Sequence, residues 1–158
     1  AYFEVGNITP AAEFNIYVDP EAAAEVFASG ADITVLPLDA THKALITEPR
    51  LQAIADIGTP VARAVSGWLD FYERFDLEKY GSAGGPLHDP CVIAYLLAPD
   101  LFGGKRVNVE IERVSDLTRG MTVADWWGVT GRAPNAHFVG DVEAEGFFRL
   151  LTERIARL

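Results

Sequence analysis

The sequence predicts an α/β fold, an open and mostly parallel sheet flanked by helices with an antiparallel edge. Three observations carry that expectation. Asp19-Pro20 opens a helix that ends at Ser29-Gly30 and runs into the apolar stretch Ile33-Thr34-Val35-Leu36, the succession of a crossover unit. Residues from Thr59-Pro60 onward keep apolar side chains at helical spacing, with Val61, Val65, Trp68, Leu69, Tyr72 and Phe75 on one face. Farther on, Val107 to Glu112 alternates, as does part of Met121 to Trp127, which reads as a pair of antiparallel strands at an edge.

In chain order, Ala1 to Val5 alternates like a strand already under way, and Gly6 to Pro10 is loop chemistry. Asp19 caps the first clear helix and Pro20 takes its first turn, with Ala22, Ala23, Val26 and Phe27 inward. Pro37 to His42 follows the next strand as a loop, and Thr47 to Ile57 reads as a helix with Leu51, Ile54 and Ala55 inward. Gly84 to Pro90 then stands in front of the apolar run Cys91 to Leu97, where Asp89 occupies a cap position and Pro90 a first helical position. A last strand around Ala136 to Val139 precedes a helix that turns Phe147, Phe148, Leu151 and Ile155 inward.

The 158 residues suit one domain, with 49% hydrophobic and 23% charged residues. Thirteen Lys and Arg against 23 Asp and Glu leave a net charge of -10, which disfavours nucleic acid and anionic membranes as partners. No stretch approaches the roughly 20 apolar residues of a membrane span. The single cysteine, Cys91, lies in apolar surroundings, fits a reducing compartment with the cytoplasm as default, and is a poor nucleophile.

The candidate chemistry is concentrated in a few places, and each has a plain alternative. Asp89 is either a helix cap or a metal ligand at a loop-helix junction. His88 is either a hydrogen-bonded loop histidine or a general acid, since imidazole titrates near neutral pH. Asn7, Glu13 and Asn15 place two amides and a carboxylate within nine residues; they either cap a loop or hold vicinal hydroxyls. Tyr72 and Tyr80 are candidates to line a pocket for a flat ring, although Tyr72 has core spacing with Trp68 and Phe75. His42 and His137 have no evident partner. By residue types alone, this is a polyol- or metal-binding α/β domain.

Gly6 to Ala22, Pro37-Leu38-Asp39-Ala40-Thr41-His42 and Pro86-Leu87-His88-Asp89-Pro90 resemble successive signatures of the inosine-uridine preferring nucleoside hydrolases. Thr118-Arg119-Gly120-Met121-Thr122 and Pro134-Asn135 extend the likeness toward the end of the chain. The resemblance implies hydrolysis of the N-glycosidic bond of purine or pyrimidine ribonucleosides, among them inosine and uridine, in base salvage. It implies a calcium ion with Asp89 as a ligand, and Asn7, Glu13 and Asn15 on the ribose hydroxyls. His88 is implied at the leaving base, with Tyr80 and Tyr72 in a wall over that base. Members are commonly homo-oligomers, dimers or tetramers. They also carry an aspartate-rich motif, which supplies most of the calcium site and the general base, and nothing here matches it. The expectation is therefore that residues 1–158 are the carboxyl-terminal portion of one hydrolase domain, inactive without the amino-terminal half. The alternative is a binding or interaction module without turnover.

Overall fold

A computed structural model of the chain describes residues 2–80 and 84–158, apart from the side chains of residues 73–80. The packing divides into two units, residues 1–40 with 103–141 and residues 41–102 with 142–158.

The first unit begins with a loop and a short helix, α1 (Phe14–Val18), followed by α2 (Pro20–Ala28). Asp19 starts α2 as expected: its carboxylate accepts the Ala22 amide at 2.9 Å, and Pro20 supplies a first-turn residue that needs no amide partner. The chain then enters β1 (Ile33–Val35), which pairs in parallel with the distant β-strand Ala136–Val142 through Ile33↔Ala136 and Val35↔Phe138. The expected parallel pairing is present, but it is made with the last strand and not with the chain's opening residues. Tyr2 to Val5 form no strand. The amides of Tyr2, Phe3 and Glu4 donate instead to the buried carboxylate of Asp39 at 2.7, 2.6 and 3.0 Å, so a side chain takes the donors a neighbouring strand would have used.

The antiparallel pair lies where the alternation placed it, as Val109–Ile111 with Thr122–Ala124, and forms a two-stranded sheet of its own. A cluster of Phe27, Val107, Val109, Ile111, Ala124, Ala136 and Phe138 packs α2 onto these strands. Asn135 ties the cluster together: its Oδ1 accepts the Val109 amide at 2.8 Å, and its Nδ2 donates to the carbonyls of Val109 and Phe27 at 2.9 and 3.1 Å.

The stretch Pro37 to His42, expected as loop, contains a one-turn helix, α3 (Leu38–Thr41). In the second unit, α4 (Glu48–Ala55) and the 21-residue α5 (Pro60–Tyr80) follow a short strand, β2 (Leu45–Ile46). Beyond α5, β3 (Gly85–Pro86) pairs antiparallel with β2 through Leu45↔Pro86 and Ile46↔Gly85. Gly84 precedes it with φ +112°, and a Cβ there would lie 2.7 Å from the Ile46 carbonyl, so only glycine fits this close crossing. Next come α6 (His88–Leu97), β4 (Phe102–Val107) and the closing pair β7 (Ala136–Val142) and α7 (Ala144–Ile155), with β5 (Val109–Ile111) and β6 (Thr122–Ala124) between. The three-stranded sheet has the order β1-β7-β4.

Phe147, Phe148 and Ile155 of α7 are buried together with Leu51 and Ile54 of α4, as their spacing predicts. Arg50 of α4 lies over the Phe148 ring, 4.2 Å from its centroid, and pairs with Glu145. The long helix α5 departs from expectation in its burial. Trp68 and Tyr72 are 72% and 45% exposed, so these two are not packed inward and Tyr72 is not a core residue, while Val65 and Leu69 on the same face are partly buried. Helical spacing shows which side chains share a face; it does not supply a neighbour to cover that face.

Candidate functional site

The strand pair β2-β3 does the positioning in the second unit. By pairing Leu45 with Pro86 it draws residues 41–44 alongside the start of α6, and the Leu87 amide donates to the Ala44 carbonyl at 3.0 Å. Thr41 and His42 therefore meet His88 across 47 positions of sequence. Thr41 Oγ1 and His88 Nδ1 are hydrogen-bonded at 2.8 Å, which holds the imidazole in one orientation, and Thr41 is itself buried. The His42 ring stands 5.7 Å from that of His88, centroid to centroid.

His42 had no evident partner in the sequence, and here it is corrected to a neighbour of His88. In the sequence Thr41 stands only as one residue of the Pro37 to His42 motif, with no role of its own. The available signal was its place in Pro37 to His42, just past β1. No spacing rule connects residue 41 to residue 88, because only the β2-β3 register does so.

Asp89 is likewise corrected as a cap. The helix begins one residue earlier than Asp89, its cap position is Leu87, and no side chain makes a capping bond there. Asp89 lies in the first turn, exposed, and its carboxylate makes no hydrogen bond among the described residues. The partial positive charge of a helix N-terminus suits a carboxylate at this place. Cys91 is fully buried one turn on, where its thiol donates to the Leu87 carbonyl at 3.0 Å and burial pushes it up to about 12. A thiol in that state is no nucleophile, in agreement with the sequence.

In the first unit, Asn7, Glu13 and Asn15 share one tightly folded loop. The amides of Asn7, Ile8 and Thr9 all point at the Ala12 carbonyl, and the Gly6 amide donates to Pro10. A Cβ on Gly6 would come within 2.1 Å of the Thr9 carbonyl oxygen, so the turn requires glycine for space. Asn7 Oδ1 accepts the Phe14 amide at 2.8 Å, and Glu13 Oε2 caps α1 by accepting the Asn15 and Ile16 amides at 2.9 and 3.4 Å. Capping is thus real for Asn7 and Glu13, and it fixes their position. Glu13 Oε1 and the exposed Asn15 side chain make no hydrogen bond among the described residues. Tyr72 is partly exposed on α5, whereas the Tyr80 side chain lies outside the described residues.

The two later motifs serve architecture. Arg119 Nη1 donates to the Arg113 carbonyl, and its Nη2 donates to both oxygens of Glu21 at 2.8 Å, which holds the Glu21 carboxyl below its ordinary range. Asn135 binds strands and helix together as described above.

The family model described as inosine-uridine preferring nucleoside hydrolase matches residues 1–149, and the chain belongs to that family. It is 48% identical over 152 residues to the pyrimidine-specific ribonucleoside hydrolase RihA of Salmonella paratyphi B, covering 96% of this chain and 49% of that protein. Among solved structures it is similar to the purine-preferring ribonucleoside hydrolase from Gardnerella vaginalis, with a TM-score of 0.88 at 27% identity over 99% of this chain and 50% of that one. It is also similar to the plant nucleoside hydrolase PpNRh1, with a TM-score of 0.87 at 28% identity over 100% and 52%. The chain spans about half the length of the relatives it matches.

Proposed function

We propose that the chain forms part of a ribonucleoside hydrolase that cleaves the N-glycosidic bond to release ribose and the free base. The observation that supports this most directly is the Thr41–His88 hydrogen bond at the start of α6. Glycoside cleavage passes through an oxocarbenium-like state in which the leaving group gathers negative charge. An imidazole held in one orientation can donate a proton to that leaving base. His88 has this role, and Thr41 positions it. Asn7, Glu13 and Asn15 serve the ribose hydroxyls, with the capping bonds keeping Asn7 and Glu13 in place. Tyr72 and Tyr80 belong to the wall over the base. The identity to RihA favours a pyrimidine ribonucleoside as the first substrate to try.

Calcium meets a clear obstacle in this chain. Among the described residues no three His, Cys, Asp or Glu side chains gather to hold a metal. Asp89 is open to a cation, but a calcium ion takes about 6 to 8 oxygens. The described residues do not by themselves make a calcium site, and Asp89 is proposed only as one ligand of a site completed by further carboxylates. That shortfall also favours a second reading, a nucleoside- or ribose-binding module without turnover.

Ribose release from uridine and inosine separates the two. The 158-residue chain is expected to release none with calcium present, and a polypeptide extended upstream to the length of the relatives is expected to be active. Inactivity of the extended form supports the binding module. In the active form, His88→Ala lowers kcat by about a hundredfold for uridine, within the usual range for a general acid. The loss is smaller for a riboside with a good leaving group. Equal losses for both substrates remove the acid role.

A further inference from the structure

A second site lies within the first unit and shares no residue with the candidate site above. It is a cleft of about 250 Å³ bordered by Lys105, Arg106, Asn108, Trp126, Trp127 and Arg132. Lys105 Nζ sits 4.4 Å from the ring centroid of Trp126 and 5.4 Å from that of Trp127, and it has no carboxylate partner among the described residues. Arg106 and Arg132 stand at the same cleft, engaged by Asp32 at 3.0 Å and Glu110 at 3.7 Å. Both pairs are exposed, and exposed pairs exchange partners at little cost. Three cations thus line the cleft beside one carboxylate, Asp125, whose oxygens are taken by the Val129 and Thr130 amides and the Thr130 hydroxyl.

The walls are built, not incidental. Trp126 stacks on Tyr2 at 5.5 Å with an interplanar angle of 26°. The Asp125 carboxylate closes the next turn by accepting the amides of Val129 and Thr130 at 2.9 and 2.8 Å, and the Thr130 hydroxyl holds that carboxyl below its ordinary range. This turn carries Trp127 outward, 74% exposed, so an indole face is open at the cleft. Asn108 lines the same cleft and is only 8% exposed; it spends one N–H on the Ala133 carbonyl at 3.1 Å, while its Oδ1 and second N–H have no partner among the described residues. A buried amide left half-satisfied is costly unless something completes it.

We propose that this cleft binds a mononucleotide. A nucleoside monophosphate brings the three complements together: a flat ring for Trp127, a phosphate for Lys105 with Arg106 and Arg132, and a base edge with donor and acceptor for Asn108. The volume is below the roughly 300–1,000 Å³ of most ligand pockets, which limits the ligand to one nucleotide.

The test is calorimetric titration of the chain with uridine 5′-monophosphate, uridine, ribose 5-phosphate and inorganic phosphate. Saturable binding of the nucleotide is expected, with each of the other three weaker by about tenfold or more, as loss of one stacking or charged contact implies. Trp127→Ala and Lys105→Met, both at exposed positions, are each expected to weaken the nucleotide by about tenfold while leaving the circular dichroism spectrum unchanged. Equal binding of ribose 5-phosphate or phosphate reduces the cleft to an anion contact and overturns the proposal. Equal binding of uridine, or nucleotide binding untouched by Trp127→Ala, places the ligand elsewhere and overturns it too.

Discussion

Cys91 shows how burial alone sets the chemistry of a residue. Its folded pKa is raised from 9.0 to about 12, so the thiol is neutral in both states below the unfolded value and its contribution to stability is complete there. As pH rises from about 9 toward 12, the unfolded thiol ionises while the folded one does not, and that stability is lost. The urea midpoint should therefore fall more steeply over this range for the natural chain than for Cys91→Ala. Parallel curves would show that the site is open to water. His88 is the contrasting case. Its identity was legible from Pro86 to Pro90, but the Thr41 bond that orients it belongs to a register no local pattern encodes.

At the scale of elements, caps and turns were the most legible features, because their chemistry is complete within a few residues. Asp19 and Pro20 start α2 where they were read to do so. Replacing Asp19 with Ala removes the bond to the Ala22 amide and is expected to lower stability by about 1 kcal/mol in denaturant unfolding. No change would mean that Pro20 and packing suffice to start the helix. The opposite occurred at α6, where Asp89 has the composition of a cap and yet sits inside the first turn. An Asp-Pro pair marks a helix start only to within a residue or two, and here the helix begins at His88, directly after β3 and Leu87. Residues 2–5 failed as a strand for a similar reason: alternation specifies faces, but Asp39 took the backbone donors.

For the whole molecule, the decisive fact is that family membership and half coverage of the relatives occur together. Among the described residues no three His, Cys, Asp or Glu side chains gather to hold a metal, so the proposal that calcium needs further ligands predicts no calorimetric binding of calcium by this chain tighter than about millimolar. Tight binding would require ligands other than Asp89 from within these residues. Among the described residues no helix is long and apolar enough to cross a membrane. Trp68, Phe71 and Tyr72 on α5 and Leu96 on α6 remain exposed in the chain by itself.

The sequence by itself determined the α/β class, the starts of α2, α4 and α5, the antiparallel pair β5-β6, the apolar face of α7 and the family. Each of these depends on residue type and short-range spacing, or on motifs long enough to be specific. Tertiary structure alone decided that β1 pairs with β7, that Thr41 and His42 stand beside His88, and that Lys105 lies against Trp126 and Trp127. Those contacts join residues that the chain brings together only through strand register and turns, and a register carries no mark in the residues it aligns.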